Sequence, residues 1–433
     1  MKTEPIPEAK LIKCMAKQIT DSRGDATIEV EVAAEFGREE VSAKASVPSG
    51  KTMAGTILKT KDAEDGVLLA IENIEKKIAP ALMFKKVDSE DFDHRMLTLD
   101  ISRGKEYLGK NAMIGVSMAI LRLEANIRKI PLWKLISEKS RFSAAKPSLF
   151  MNALNGGVRT DFGLPFGEYL FVISGETLSS ENDAALALFE KVRRKLDEKN
   201  ISYYFGEEGG FAPRLSSIDK PFEILDECVA GDPNIFIGID ASASDFYKKE
   251  SDKYEIMGKT ISRGDLLLLY KGLVEKFNIR SIEDPFAALD LKGFEETMRW
   301  IGDSSIIVAD ELTVTDPLLI NKYGLRALAS GVLIKPNQIG TMYETFEAIR
   351  EARKFGWKVI VSHCLGETTD TFISDLAVGV GAYGIKAGAH TEPERRAKYD
   401  RLLVIEKEMA EIEEEERIRK EEEKKERRKL PYY

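Results

Sequence analysis

The chain has 433 residues, 43% of them hydrophobic, and a formal net charge of −9. This length accommodates two domains with a sizeable core, and the acidic balance excludes non-specific electrostatic binding to nucleic acid. Three cysteines without metal-type spacing (Cys14, Cys228, Cys364) build no disulfide framework and fit a reducing cytoplasm; no signal peptide and no apolar run of membrane-spanning length is read.

Residues 1–142 read as a smaller α+β domain. Thr27–Val32 alternates as a half-buried strand after the turn Asp21-Ser22-Arg23-Gly24-Asp25, and residues 61–80 and 110–129 carry helical periodicity. Between them, Gly50-Lys51-Thr52 copies the end of a phosphate-binding P-loop. The first glycine of that pattern falls on Ala45 and no clear helix opens after Thr52, so nucleotide hydrolysis is not supported.

Residues 143–408 hold a ladder of short apolar strands. Ile235–Ile239 ends on Asp240, Ile279–Ile282 on Glu283 and Asp284, and Ile306–Ala309 on Asp310 and Glu311. Val332–Ile334 ends on Lys335, Val359–Ser362 on His363, and Gly384-Ile385 on Lys386. Strands spaced by a helix's worth of chain, each closing on a titratable residue, describe a parallel α/β barrel whose reacting groups sit at the strands' C-terminal ends. Glycine-flanked acids, Gly167-Glu168 and Gly206–Pro213, read either as tight loops holding a carboxylate near other backbone or as solvated turns. Residues 409–433 form a charge-dense tail of helical spacing.

Asp240, Glu283 and Asp310 at neighbouring strand ends make an all-oxygen donor set that suits Mg²⁺ before Zn²⁺. A desolvated lysine beside such a cation, Lys335 or Lys386, is expected to lose its proton easily and act as a base. Metal plus lysine is the equipment for taking a proton from the carbon next to a carboxylate. Glu208 or Glu168, on the opposite face, could protonate a departing hydroxide.

At this point the sequence resembles the enolase (phosphopyruvate hydratase) family over nearly its whole length. The motifs are a glycine-flanked acid before Gly210-Phe211-Ala212-Pro213, Ser281-Ile282-Glu283-Asp284-Pro285, the Val308–Thr315 stretch, Leu333–Thr341, Ser362-His363 with Gly366-Glu367-Thr368, and Ile385–Ala389. The resemblance implies a C-terminal enolase-type barrel departing from the regular eightfold pattern, capped by the N-terminal domain, and a homodimer. It implies Mg²⁺ on Asp240, Glu283 and Asp310, with Thr52 at the position of a loop serine that binds a second Mg²⁺. Lys335 becomes the base, Glu208 with Glu168 the acid, and Lys386 the partner of the substrate carboxylate; His363 joins the substrate site.

The departures lie around the substrate. Cys364 and Leu365 stand where the family has arginine and serine, that arginine being its main phosphate contact. Arg159 stands for a histidine, Gly167 for a glutamine, Lys51 for an alanine, and Asp25-Ala26 for asparagine-proline. Arg159 and Lys51 could restore the phosphate-binding charge. Three readings remain open: dehydration of 2-phospho-D-glycerate, a lyase acting on another hydroxy acid, or a non-catalytic binding role.

Overall fold

The structure, a computed structural model, describes residues 8–50, 66–160 and 164–429, the side chains of Arg159 and 426–429 excepted. Strands β1 (Lys10–Thr20), β2 (Ala26–Phe36) and β3 (Glu39–Ser46) form an antiparallel meander. Ile28, Val30 and Val32 point to the core, while Glu29 and Glu31 face Lys13, Lys17 and Lys44 across the strands. The Lys110–Arg128 helix, close to its predicted span, packs on this sheet. Gly115 allows the close approach, since a Cβ there would come within 2.7 Å of Val30 Cγ2. The periodicity read over 61–80 corresponds, in its described part, to Gly66–Asn73 followed by one π turn, Ile74–Ile78.

The barrel is built from β4 (Ser148–Asn155), β5 (Glu168–Ile173), β8 (Ile235–Asp240), β12 (Ile279–Glu283), β13 (Ile306–Ala309), β14 (Gly331–Ile334), β15 (Lys358–Ser362) and β16 (Gly384–Gly388). They follow one another round the ring in that order, and β16 closes on β4. Short strands β6 (Tyr203–Phe205) and β7 (Phe211–Pro213) add to β4, and β9 (Tyr247–Lys248), β10 (Lys253–Ile256) and β11 (Lys259–Ile261) form a separate small sheet.

The expectation of an all-parallel barrel is corrected at one strand: β5 runs antiparallel to both β4 and β8. The reason is local. Among the described residues only one short 3-10 turn, Gly157–Arg159, lies between β4 and β5, too little chain for a crossover, so the chain turns back as antiparallel neighbours can. Lys386 likewise does not end its strand; β16 continues to Gly388 with a register shift against β4.

Side-chain alternation then fixes the site. Phe150, Leu170, Val172, Val308, Leu333 and Ile360 form a buried cluster inside the ring. Glu168 shares its face with Leu170 and Val172, Asp310 with Val308, and Lys335 with Leu333, because same-face residues lie two apart on a strand. These polar residues are therefore the next layer above the apolar plug.

The 37-residue helix Pro393–Lys429 first lies on the barrel, burying Tyr399, Leu402 and Ile405. It runs unbroken through the 408/409 boundary into an exposed segment carrying Arg417–Glu414 and Arg417–Glu421 pairs. Among the described residues no helix is long and apolar enough to cross a membrane.

Asp93 stitches the N-terminal domain to the barrel. It is 3% exposed and accepts from Tyr343 N at 2.9 Å. Burial pushes its carboxyl up to about 7. An unfolded aspartate titrates near pH ~3.9, so the folded value is the raised one. Its contribution is full below about pH 4 and lost as pH rises through about 7, a loss on the order of 4 kcal/mol. We predict that Asp93→Asn flattens the fall in melting temperature between pH 5 and 8 and melts above the parent at pH 8. Equal slopes would show that Asp93 ionises normally.

Candidate active site

The barrel mouth opens into a cavity of about 380 Å³. Glu168, Glu208, Asp240, Asp310, Lys335, His363 and Lys386 all line it. Glu283 sits beneath, 3% exposed. Lys386 Nζ lies 3.0 Å from Glu168 Oε1, 2.8 Å from Glu283 Oε2 and 3.4 Å from Asp240 Oδ2. Lys335 Nζ lies 2.5 Å from Asp310 Oδ2, and Gln338 Nε2 donates to Asp310 Oδ1 at 3.2 Å.

Antiparallel β5 explains how Glu168 joins the strand-end acids. Its position is the start of its strand, paired with Asp240 at the end of β8. The backbone beyond β12 is also shaped for this layer: Asp284 adopts φ 41°, a costly left-handed conformation. Its carboxylate accepts from Asp310 N at 3.1 Å and Glu311 N at 3.0 Å, tying the ends of β12 and β13 together.

Burial draws the Lys335 ammonium toward losing its proton, but the attractions of Asp310, Cys364 and Glu283 together outweigh it and the net shift is upward. The sequence shows a desolvated lysine; it does not show a carboxylate in direct contact. Lys386 is also held protonated, burial being outweighed by Glu168, Glu283 and Asp240.

On the facing side, Glu168, Glu208 and His363 form the described triple whose ligand atoms all lie within 4.8 Å of one another. Asp240, Glu283 and Asp310 form no such triple; Lys386 lies between Asp240 and Glu283, and Lys335 pairs with Asp310. Burial, then repulsion from Glu208, holds the Glu168 carboxyl well up.

His363 Nε2 faces Glu208 Oε2 at 3.4 Å. Burial and then Arg395 push the imidazole down to about 4. The neutral ring fits its neighbour, because the Arg395 guanidinium meets Nδ1. A guanidinium only donates, so Nδ1 accepts and the ring proton sits on Nε2, toward Glu208.

Arg395 was not singled out from the sequence. It lies 32 residues beyond His363, on the C-terminal helix, 1% exposed, and also donates to Glu207 O at 3.0 Å. Gly388 (φ +80°) makes room, since a Cβ there would come within 2.5 Å of Arg395 Cδ. Gln338, and Lys249 at the rim of the same cavity, also escaped sequence reasoning.

The departures have local partners. A Cβ at Gly167 would meet Ser242 Oγ at 2.7 Å, so the glycine accommodates a serine whose hydroxyl donates to Asp240 Oδ1 at 2.9 Å. Cys364 Sγ contacts Asn337 Oδ1 at 2.9 Å, and burial pushes its thiol up to about 12. It is a neutral filler, not a nucleophile. Ser49 N and Gly50 N donate to Gly366 O and Leu365 O at 2.9 and 3.0 Å, anchoring the loop start beside that position. Thr52 and Lys51 lie outside the described residues. Arg159 closes a short turn, Gly157–Arg159, whose Gly157 packs on Gly167; its side chain is outside the description.

A closed barrel with carboxylates and lysines interleaved at its mouth defines an enzyme class, one that handles a proton beside a carboxylate. Comparison with known proteins gives the family. Residues 143–422 match the model for the enolase C-terminal TIM barrel domain, and residues 11–136 that for the enolase N-terminal domain. The enolase of Methanopyrus kandleri is 37% identical over 417 residues, covering 93% of this chain and 96% of the relative. That of Neorickettsia sennetsu is 37% identical over 406 residues, covering 91% and 98%. The chain belongs to the enolase family and is an enolase-type, phosphopyruvate hydratase-like lyase.

Proposed function

We propose that this lyase is Mg²⁺-dependent and dehydrates 2-phospho-D-glycerate to phosphoenolpyruvate, a glycolytic step, as a cytoplasmic homodimer with domains 1–142 and 143–408 and a tail from 409. The observation that carries the reading is the interleaved ring of Asp240, Glu283, Asp310, Lys335 and Lys386 facing Glu168, Glu208 and His363 across one cavity.

The donor set fits a hard divalent cation. It is all oxygen, and Glu283 Oε1 is buried without a hydrogen-bond partner. Asp240, Glu283 and Asp310 would hold Mg²⁺, and the Thr52 hydroxyl a second. When bound there, Mg²⁺ supplies the positive charge that stabilises a substrate carboxylate as it becomes a dianion. Lys335, with the Asp310 charge otherwise engaged, takes the proton from the carbon beside that carboxylate. Lys386 pairs with the carboxylate. The C–H electron pair becomes the new double bond as the C–O bond on the next carbon breaks. The leaving hydroxide takes a proton from the Glu168–Glu208 pair, the Glu168 carboxyl being held up by burial and by repulsion from Glu208. Neutral His363 orients Glu208.

In this reading Arg159 and Lys51 bind the phosphate. Losing one charge-assisted contact costs on the order of 2–3 kcal/mol, so Arg159→Ala is expected to raise the KM for 2-phosphoglycerate about thirtyfold to hundredfold. Unchanged KM would remove Arg159 from this role.

One observation favours a second reading, a lyase for a different 2- or 3-hydroxy acid. A neutral thiol stands where the family's phosphate-binding arginine would be, and it is bonded to Asn337. Turnover of a hydroxy-acid panel with poor turnover of 2-phosphoglycerate would select it; the reverse pattern would remove it.

A further inference from the structure

At the seam between the N-terminal domain and the barrel lies a cavity of about 260 Å³ that shares no lining residue with the barrel mouth. Its walls come from the Ser89–Leu99 and Leu132–Ser140 helices on one side and the Met342–Lys354 helix on the other. Two of its lining groups have buried atoms with nothing to bond. Asp93 Oδ2 accepts from Tyr343 N, but its Oδ1 has no hydrogen-bond partner. Arg350 holds Glu347 through Nη2 at 3.1 Å, while its Nε is buried and unbonded. Buried polar atoms are costly to leave unmet, and these call for an occupant that would satisfy them.

The remaining charges separate the possible ligands. Lys139 is engaged by Glu124 and Asp88, Glu138 by Arg128, and Glu347 by Arg350. What is left unspent is the buried Asp93 oxygen, the Arg350 Nε–H and, at the exposed rim, Glu90 and Arg141. A cation alone would leave the guanidinium donors unmet, and an anion alone would leave Asp93 unmet. Leu121, Met342 and Phe346 supply apolar wall. The volume lies below that of sites for drug-sized ligands, roughly 300–1,000 Å³, which limits the occupant to a small metabolite.

We propose that this cavity binds a free α-amino acid, with its ammonium group on Asp93, its carboxylate on Arg350 and Arg141, and its side chain against Phe346 and Leu121. The site is independent of the barrel-mouth chemistry, and its ligand would bridge the two domains.

The test is calorimetry and thermal melting of the full chain at pH 8 with L-alanine, L-leucine and L-phenylalanine, set against ethylamine and propionate as the separate halves. At least one amino acid is expected to bind and raise the melting temperature, with neither half alone doing so. Asp93→Asn and Arg350→Gln are each expected to weaken binding tenfold or more. No binding by any amino acid, equal binding by a half, or affinity unchanged in both folded variants would overturn the proposal.

Discussion

Lys335→Ala is expected to lower the turnover of 2-phosphoglycerate by roughly 10²–10⁴-fold, the usual worth of a positioned general base. The lysine follows β14, is half-buried, and reaches Asp310 at 2.5 Å. Truncating it leaves Asp310 still bonded to Gln338, so this proposed metal ligand keeps a second support. The loss should therefore fall on kcat, with KM within a few-fold of the parent. Activity within tenfold of the parent would show that another group takes the proton.

The second large effect concerns stability. Lys386→Met leaves three buried carboxylates, on Glu168, Asp240 and Glu283, without the ammonium they surround. Breaking a buried ion pair from one side costs about 3–5 kcal/mol, because uncompensated charge stays behind. The variant should melt well below the parent, and Mg²⁺ should recover part of the difference by binding only the folded state. An unchanged melting temperature would mean that the carboxylates escape by taking up protons. Glu168 and Glu283 are the candidates, since burial holds both carboxyls well up.

Much of this site was legible because a strand's periodicity and its last residue are written in consecutive positions. Asp240, Glu283, Asp310 and Lys335 stand at strand ends, as their apolar runs imply. Glu168 was legible only as an acid between glycines. Its place in the ring depends on β5 running backwards, and strand direction is set by pairing partners far away in sequence. Arg395 was illegible for a related reason, since its partner His363 lies on another element and helical spacing does not mark a buried arginine. The charge balance at Lys335 was not legible, because the contest between desolvation and attraction depends on a contact distance, which sequence does not contain. Gly167 and Ser242 show the same limit: the glycine's vacancy and the serine that occupies it are 75 positions apart in the chain.

The central claim is that this barrel mouth removes the proton beside the substrate carboxylate. It is tested most directly by following exchange of that proton of 2-phosphoglycerate in deuterated buffer by NMR, with Mg²⁺. The account predicts exchange by the parent protein, abolished by Lys335→Ala or by removal of Mg²⁺. Binding of 2-phosphoglycerate without exchange or product would contradict it.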